Sequence, residues 1–184
     1  NALIKGYSGI RLETLELLLE LLNKDVTPVV FEKGSLGASG DLAPLSHIAM
    51  SLIGEGYVIE EGKKKKTSEI LKKYGIKPLK LKEKEGLSLL NGTQYITSIL
   101  SLVVRDSLKL LEIATIIAAG TVDVLFGSSK AYDPRLQEAR NHEGQKVIAK
   151  LLREYIDGSE IRLSHIECNR VQDAYSLRAI PQVY

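Results

Sequence analysis

The segment from Leu87 to Phe126 constrains this chain more than any other. It contains no proline and carries apolar residues on most faces, which predicts one very long helix of about 60 Å at 1.5 Å per residue. A helix apolar on most faces has to be covered, so it belongs in a helical bundle. A membrane span is the competing reading. Asn91, Thr93, Gln94, Arg105, Asp106, Lys109 and Glu112 interrupt every window of about 20 residues that hydrocarbon would require. The segment is therefore read as buried in protein, with no membrane partner.

Helical spacing recurs on either side. Leu15, Leu18, Leu19 and Leu22 follow the polar Ser8-Gly9 turn and predict a first helix to about Asn23, which Thr27-Pro28 terminates. After a Gly/Ser-rich stretch, Asp41 stands where an N-cap would, Pro44 is tolerated in a first turn, and a second helix reads from Leu42 to Ile53. Val147, Ile148, Leu151, Leu152 and Tyr155 mark a further amphipathic helix, closed by Gly158. From Ile161 to Tyr184 no period emerges among many polar residues, and irregular polar chain beside a bundle is where sites collect. The fold class expected is mainly α, a long-helix bundle.

Between Tyr57 and Glu85 the character changes. Gly62 suggests a hairpin turn, Lys63 to Lys66 form a basic run, Ile70 to Tyr74 read as a short helix, and Leu79 to Lys82 alternate. This is expected to be a small solvated α/β excursion outside the bundle. Glu60, Glu61, Glu69, Glu83 and Glu85 dilute the lysines and no aromatic is interleaved for base stacking, so a nucleic-acid partner is not expected. A net charge of +2 is also too small for nucleic acid or a membrane surface, leaving a small-molecule ligand. Cys168 is the single cysteine and no secretory pattern opens the chain, which suits a reducing cytoplasm. His47, His142 and His165 are too scattered for a metal site and read as packing or hydrogen-bonding residues. The sequence opens on Asn1 without an initiator Met and stops at Tyr184 without a charged tail, as expected for a piece of something longer.

By itself, Gly37-Ala38-Ser39-Gly40-Asp41 is an ordinary turn into a helix. Its surroundings are not ordinary. The string Gly34-Ser-Leu-Gly-Ala-Ser-Gly-Asp-Leu-Ala-Pro-Leu-Ser-His47 is followed by Gly86-Leu-Ser-Leu-Leu-Asn-Gly-Thr-Gln94, and then by Arg170-Val-Gln-Asp-Ala-Tyr-Ser-Leu-Arg178 with Pro181-Gln-Val183. On these three signatures, in this order and spacing, the chain resembles the aromatic amino acid ammonia-lyases that build a methylidene-imidazolone from Ala-Ser-Gly. The resemblance runs from Lys5-Gly-Tyr-Ser-Gly9 to the end. Family members are longer, so it implies that residues 1–184 are the central part of a single domain, lacking an N-terminal and a C-terminal section.

The resemblance implies a long-helix bundle of the ammonia-lyase and fumarase-like type, a homotetramer, and non-oxidative deamination of an amino acid. The stretches Ser159-Glu-Ile-Arg-Leu-Ser-His165 and Asp173-Ala-Tyr-Ser-Leu-Arg178 look most like microbial members acting on histidine, giving urocanate and ammonia. A phenylalanine or tyrosine lyase or aminomutase stays open, because the family's selector for the ring lies in the missing N-terminal section. The family's catalytic tyrosine and acidic residue lie in the missing sections too.

The same resemblance assigns the site. The Gly40 amide nitrogen attacks the Ala38 carbonyl, and two dehydrations turn the Ser39 side chain into an exocyclic methylidene. The product is 4-methylidene-imidazol-5-one, with no external cofactor. Glycine permits the close backbone approach this needs. Asp41 either helps to move protons or is only an N-cap. Arg178 would grip the substrate carboxylate with its two-pronged guanidinium. If Gln172 to Arg178 is helical, Gln172, Tyr175 and Arg178 share one face. By resemblance Tyr175 and Gln172 contact the prosthetic group or substrate, and Asn91 hydrogen-bonds the substrate's polar end. Helix N-termini near Asp41 and Asn91 would add positive potential. Two readings from other classes remain: a fumarase-type lyase without a prosthetic group, against which the intact Ala38-Ser39-Gly40 argues, and a non-catalytic helical scaffold.

Overall fold

A computed structural model of the chain describes residues 1–36, 38 and 40–184. The fold is mainly α and divides into two compact units, Asn1–Ser101 and Leu102–Tyr184.

In the first unit, α1 (Leu12–Asn23) and α2 (Leu42–Leu52) lie where the leucine spacing predicts. Thr27-Pro28 ends the first helical pattern as expected, but as a strand: β1 (Thr27–Pro28) pairs antiparallel with β2 (Tyr57–Glu60), which pairs with β3 (Lys63–Lys66). Glu61 and Gly62 both take left-handed backbone (φ 52° and 72°), the two-residue turn that suits a twisted hairpin. After α3 (Thr67–Lys73), the alternating Leu79 to Lys82 makes no strand. It is irregular chain tied down by the Leu79 N–H, which donates to the Leu52 carbonyl at 2.8 Å.

The small α/β excursion packs on the first two helices. Val58, Ile70, Leu71 and Ile76 share one buried cluster with Leu17, Leu21, Val26 and Leu52. Strand alternation explains it: Val58 and Glu60 face inward while Tyr57 and Ile59 face out. The lysines mark only the solvated side. Their inward counterpart is Glu60, 2% exposed, whose carboxylate accepts from Lys65, Lys73 and the Tyr74 hydroxyl. Those three donors lower its pKa to about 2.

The expected single helix from Leu87 to Phe126 is two: α4 (Glu85–Leu90) and α5 (Gln94–Val124). α5 alone spans about 46 Å. Between them Asn91 is extended (φ −96°, ψ 96°), and the Gly92 carbonyl, instead of joining a helical ladder, accepts the Asp41 N–H at 2.8 Å. A tertiary hydrogen bond beside a glycine thus outweighs a periodic apolar pattern. The start of α4 is fixed by Glu85, 1% exposed, which accepts from Arg11 Nη2 (2.7 Å), Arg11 Nε (3.0 Å), Thr14 Oγ1 (2.8 Å) and Lys82 N (2.8 Å). The Arg11 guanidinium holds this carboxyl far below the usual carboxylate range.

The second unit is built on α7 (Glu143–Ile156), closed as expected by Gly158 in the left-handed conformation (φ 74°). Ile148, Ala149, Leu152 and Ile156 of α7 pack with Ala118, Ala119 and Val122 of α5, with Tyr132 and with Ile180. Asp133 caps α6 (Pro134–Arg140) through the Arg135 N–H, and Ser159 caps α8 (Glu160–Ser164) through the Arg162 N–H. The stretch without period resolves into irregular chain followed by two short helices, α9 (Tyr175–Arg178) and α10 (Ile180–Val183). Among the described residues, no helix is long and apolar enough to cross a membrane.

Candidate active site

Of the tripeptide, Ala38 and Gly40 are described; Ser39, like Gly37, lies outside the described residues. Gly40 has a left-handed backbone (φ 92°), and a Cβ built on it would stand 2.4 Å from the Gly92 carbonyl oxygen. No side chain fits there without moving backbone. Ala38 is exposed, so no buried group crowds it. These two residues fit a backbone ring closed through the Gly40 nitrogen.

Asp41 is fully buried and occupies the N-cap position of α2, as expected, but its side chain does not cap that helix. Oδ2 accepts the Ile96 N–H of α5 (2.9 Å) and Oδ1 accepts the Ser35 hydroxyl (2.6 Å). The carboxylate therefore caps the neighbouring helix. It also takes up the positive end of α5. Asn91, exposed at the end of α4, lines a cleft of about 300 Å³ with Ser88 and Gln94 above Leu45 and Ala49. The structure thus brings Gly40, Asp41 and the Asn91-Gly92 turn together.

In the second unit Gln172 and Arg178 line a cleft of about 360 Å³. They do not share a helix face, because Gln172 precedes α9 as irregular chain and only Tyr175 and Arg178 are helical. The reason is Asp173, whose side chain turns inward. Its Oδ2 accepts the Ser128 N–H at 2.6 Å, and Arg170 lies 3.4 Å from Oδ1. Its own carbonyl accepts Arg178 Nε at 3.0 Å. Among the described residues no hydrogen bond engages the terminal nitrogens of Arg178, and its guanidinium stands 6.0 Å from the ring centre of Tyr175, which is 74% exposed. His165 borders the same cleft and sets both ring nitrogens against carbonyls, those of Gly127 and Ile161. Tyr132, buried beneath α9, donates its hydroxyl to the Leu177 carbonyl at 2.7 Å. Burial, with the Asp173 charge adding to it, pushes that hydroxyl up to about 12.

The family model described as aromatic amino acid lyase matches residues 1–184. The chain belongs to that family. It is 52% identical to the histidine ammonia-lyase of Alkaliphilus oremlandii and 49% identical to that of Stigmatella aurantiaca, in each case over all of this chain and 36% of the relative. It is similar in structure to the tyrosine aminomutase of Streptomyces globisporus, with a TM-score of 0.83 at 40% identity over 98% of this chain and 38% of that one. This aromatic amino acid lyase chain therefore spans about a third of the length of the relatives it matches.

Within this lyase chain, sequence reasoning missed four contributors. Asp173 was part of a recognised string but had no role. Gly92 falls inside the span expected to be one helix, although an Asn-Gly pair is itself a break signal. Nothing in the sequence assigns a role to Ser35 or Tyr95, because the one acts through Asp41, six residues on, and the other through Glu32, 63 residues back.

Proposed function

We propose that this chain is the central part of an enzyme that deaminates L-histidine to urocanate and ammonia, using an electrophile formed from Ala38, Ser39 and Gly40. The observation that carries the substrate is the identity, about half of all positions along the whole chain, to enzymes named for histidine. The observation that supports the electrophile is Gly40, bare and pressed on the Gly92 carbonyl within the intact tripeptide. Once formed, 4-methylidene-imidazol-5-one supplies an electrophilic carbon that no standard side chain offers.

The described residues then divide the remaining work. Arg178, its Nε held by the Asp173 carbonyl, presents two parallel N–H donors to the substrate carboxylate. Gln172, across the same cleft, supplies an amide that orients a polar substrate group. Tyr175 sets an exposed phenol beside Arg178, within reach of a molecule bound there. Asn91 offers an exposed amide to the substrate's polar end. The reading extends to a cytoplasmic homotetramer without membrane or nucleic-acid partners. The support for the oligomer is α5, where Leu102, Leu108, Leu110, Ile116 and Ile117 stand exposed and need cover.

The test is turnover of histidine, phenylalanine and tyrosine by the full-length protein. Urocanate and ammonia from histidine, with at most slow reaction of the other two, is expected. Preference for tyrosine or phenylalanine, with a β-amino acid or cinnamate-type product, would overturn the substrate.

A further inference from the structure

The loop that carries the tripeptide is stapled to the first turn of α5 at points on both sides of Ala38-Ser39-Gly40. Upstream, the Tyr95 hydroxyl donates to the Glu32 carbonyl at 3.0 Å. Downstream, the Asp41 N–H donates to the Gly92 carbonyl at 2.8 Å, and Asp41 Oδ2 accepts the Ile96 N–H at 2.9 Å. Ser35 closes the loop on itself, its hydroxyl donating to Asp41 Oδ1 at 2.6 Å. Among the described residues, no hydrogen bond joins Glu32, Ser35 or Tyr95 to a cleft residue assigned above to substrate.

We propose that Tyr95 and Ser35 are positioning residues for the chain's self-processing: they hold the ends of loop 32–41 so that the Gly40 nitrogen and the Ala38 carbonyl stay close enough to react. The inference rests on the reading that Ala38-Ser39-Gly40 cyclises. In that reaction the Gly40 nitrogen bonds to the Ala38 carbonyl carbon. The Ala38 oxygen leaves as water with the amide hydrogens of Gly40 and Ser39. The Ser39 hydroxyl leaves as a second water with the residue's own α hydrogen. No oxidant is needed, and an amide nitrogen is a weak nucleophile. Restricting the loop is then the main help the fold gives, since holding reactants in place replaces a search through chain conformations. Tyr95 and Ser35 supply that restriction without touching the reacting atoms.

The experiment follows water loss directly. Full-length parent, Tyr95→Phe, Ser35→Ala and the double variant are made by cell-free synthesis and quenched in acid at intervals. Intact mass then reports the fraction lighter by two waters. The loss of one hydrogen bond predicts that each single variant matures about five-fold more slowly and the double variant more slowly still. Circular dichroism and the KM and kcat of fully matured enzyme should match the parent. A double variant that matures at the parent's rate overturns the inference and leaves the proposed function standing. A parent that never loses two waters overturns both.

Discussion

Arg178 shows at the residue scale how a motif becomes a tool. Its charge was evident in the sequence, but its orientation depends on the Asp173 carbonyl, which occupies Nε and leaves the two terminal nitrogens as a fork. Lysine keeps the charge and loses the fork. In the full-length enzyme Arg178→Lys should therefore raise KM, with a loss of about 1 to 3 kcal/mol in substrate binding. An unchanged KM would remove Arg178 from the carboxylate site. The residues named from the family strings were legible because their chemistry is written in their types: a bare glycine, a guanidinium, a phenol. Asp173, Ser35 and Tyr95 were not, because their roles come from hydrogen bonds that only the fold assembles, to parts of the chain three to 63 positions away.

At the level of elements, the periodic segments α1, α2 and α7 were legible, since each has one apolar face and a stop signal. Two features were not legible, for physical reasons. The apolar run across Asn91-Gly92 has helical period, yet the Asp41 N–H draws the Gly92 carbonyl out of the helix, past a Gly40 that leaves room for it. The lysine-rich hairpin displays charge on one side only, which concealed that Val58 and Glu60 face inward. Glu60 gives this hairpin a pH signature. Its carboxyl titrates near 4.5 when unconstrained and at about 2 in the folded chain. A depressed folded value means stabilisation that is complete above pH 4.5 and lost as pH falls toward 2. Thermal melts of parent and Glu60→Gln should differ most near neutral pH, with the parent more stable, and converge through that window. A difference that stays constant down to pH 2 would show that the lysines and Tyr74 do not hold the ionised form.

For the molecule as a whole, both units carry residues of the family strings, Ala38, Gly40 and Asn91 in the first and Gln172, Tyr175 and Arg178 in the second. The helical class was legible from one proline-free apolar run, and the chemistry from three short strings. Neither revealed the buried carboxylates Glu60, Glu85 and Asp41 that tie loops to helices, because burial of a charge depends on partners that only the fold assembles. The central claim is that Ser39 serves by losing its side-chain heteroatom. The most direct measurement is ammonia release from histidine by full-length Ser39→Ala beside Ser39→Cys. Alanine has nothing to eliminate, so its activity should fall by several orders of magnitude with the helical fold retained. Cysteine can reach the same methylidene by losing hydrogen sulfide and should keep substantial activity. Equal activities in the two variants, or an alanine variant as active as the parent, would make Ser39 an ordinary loop serine and contradict the account.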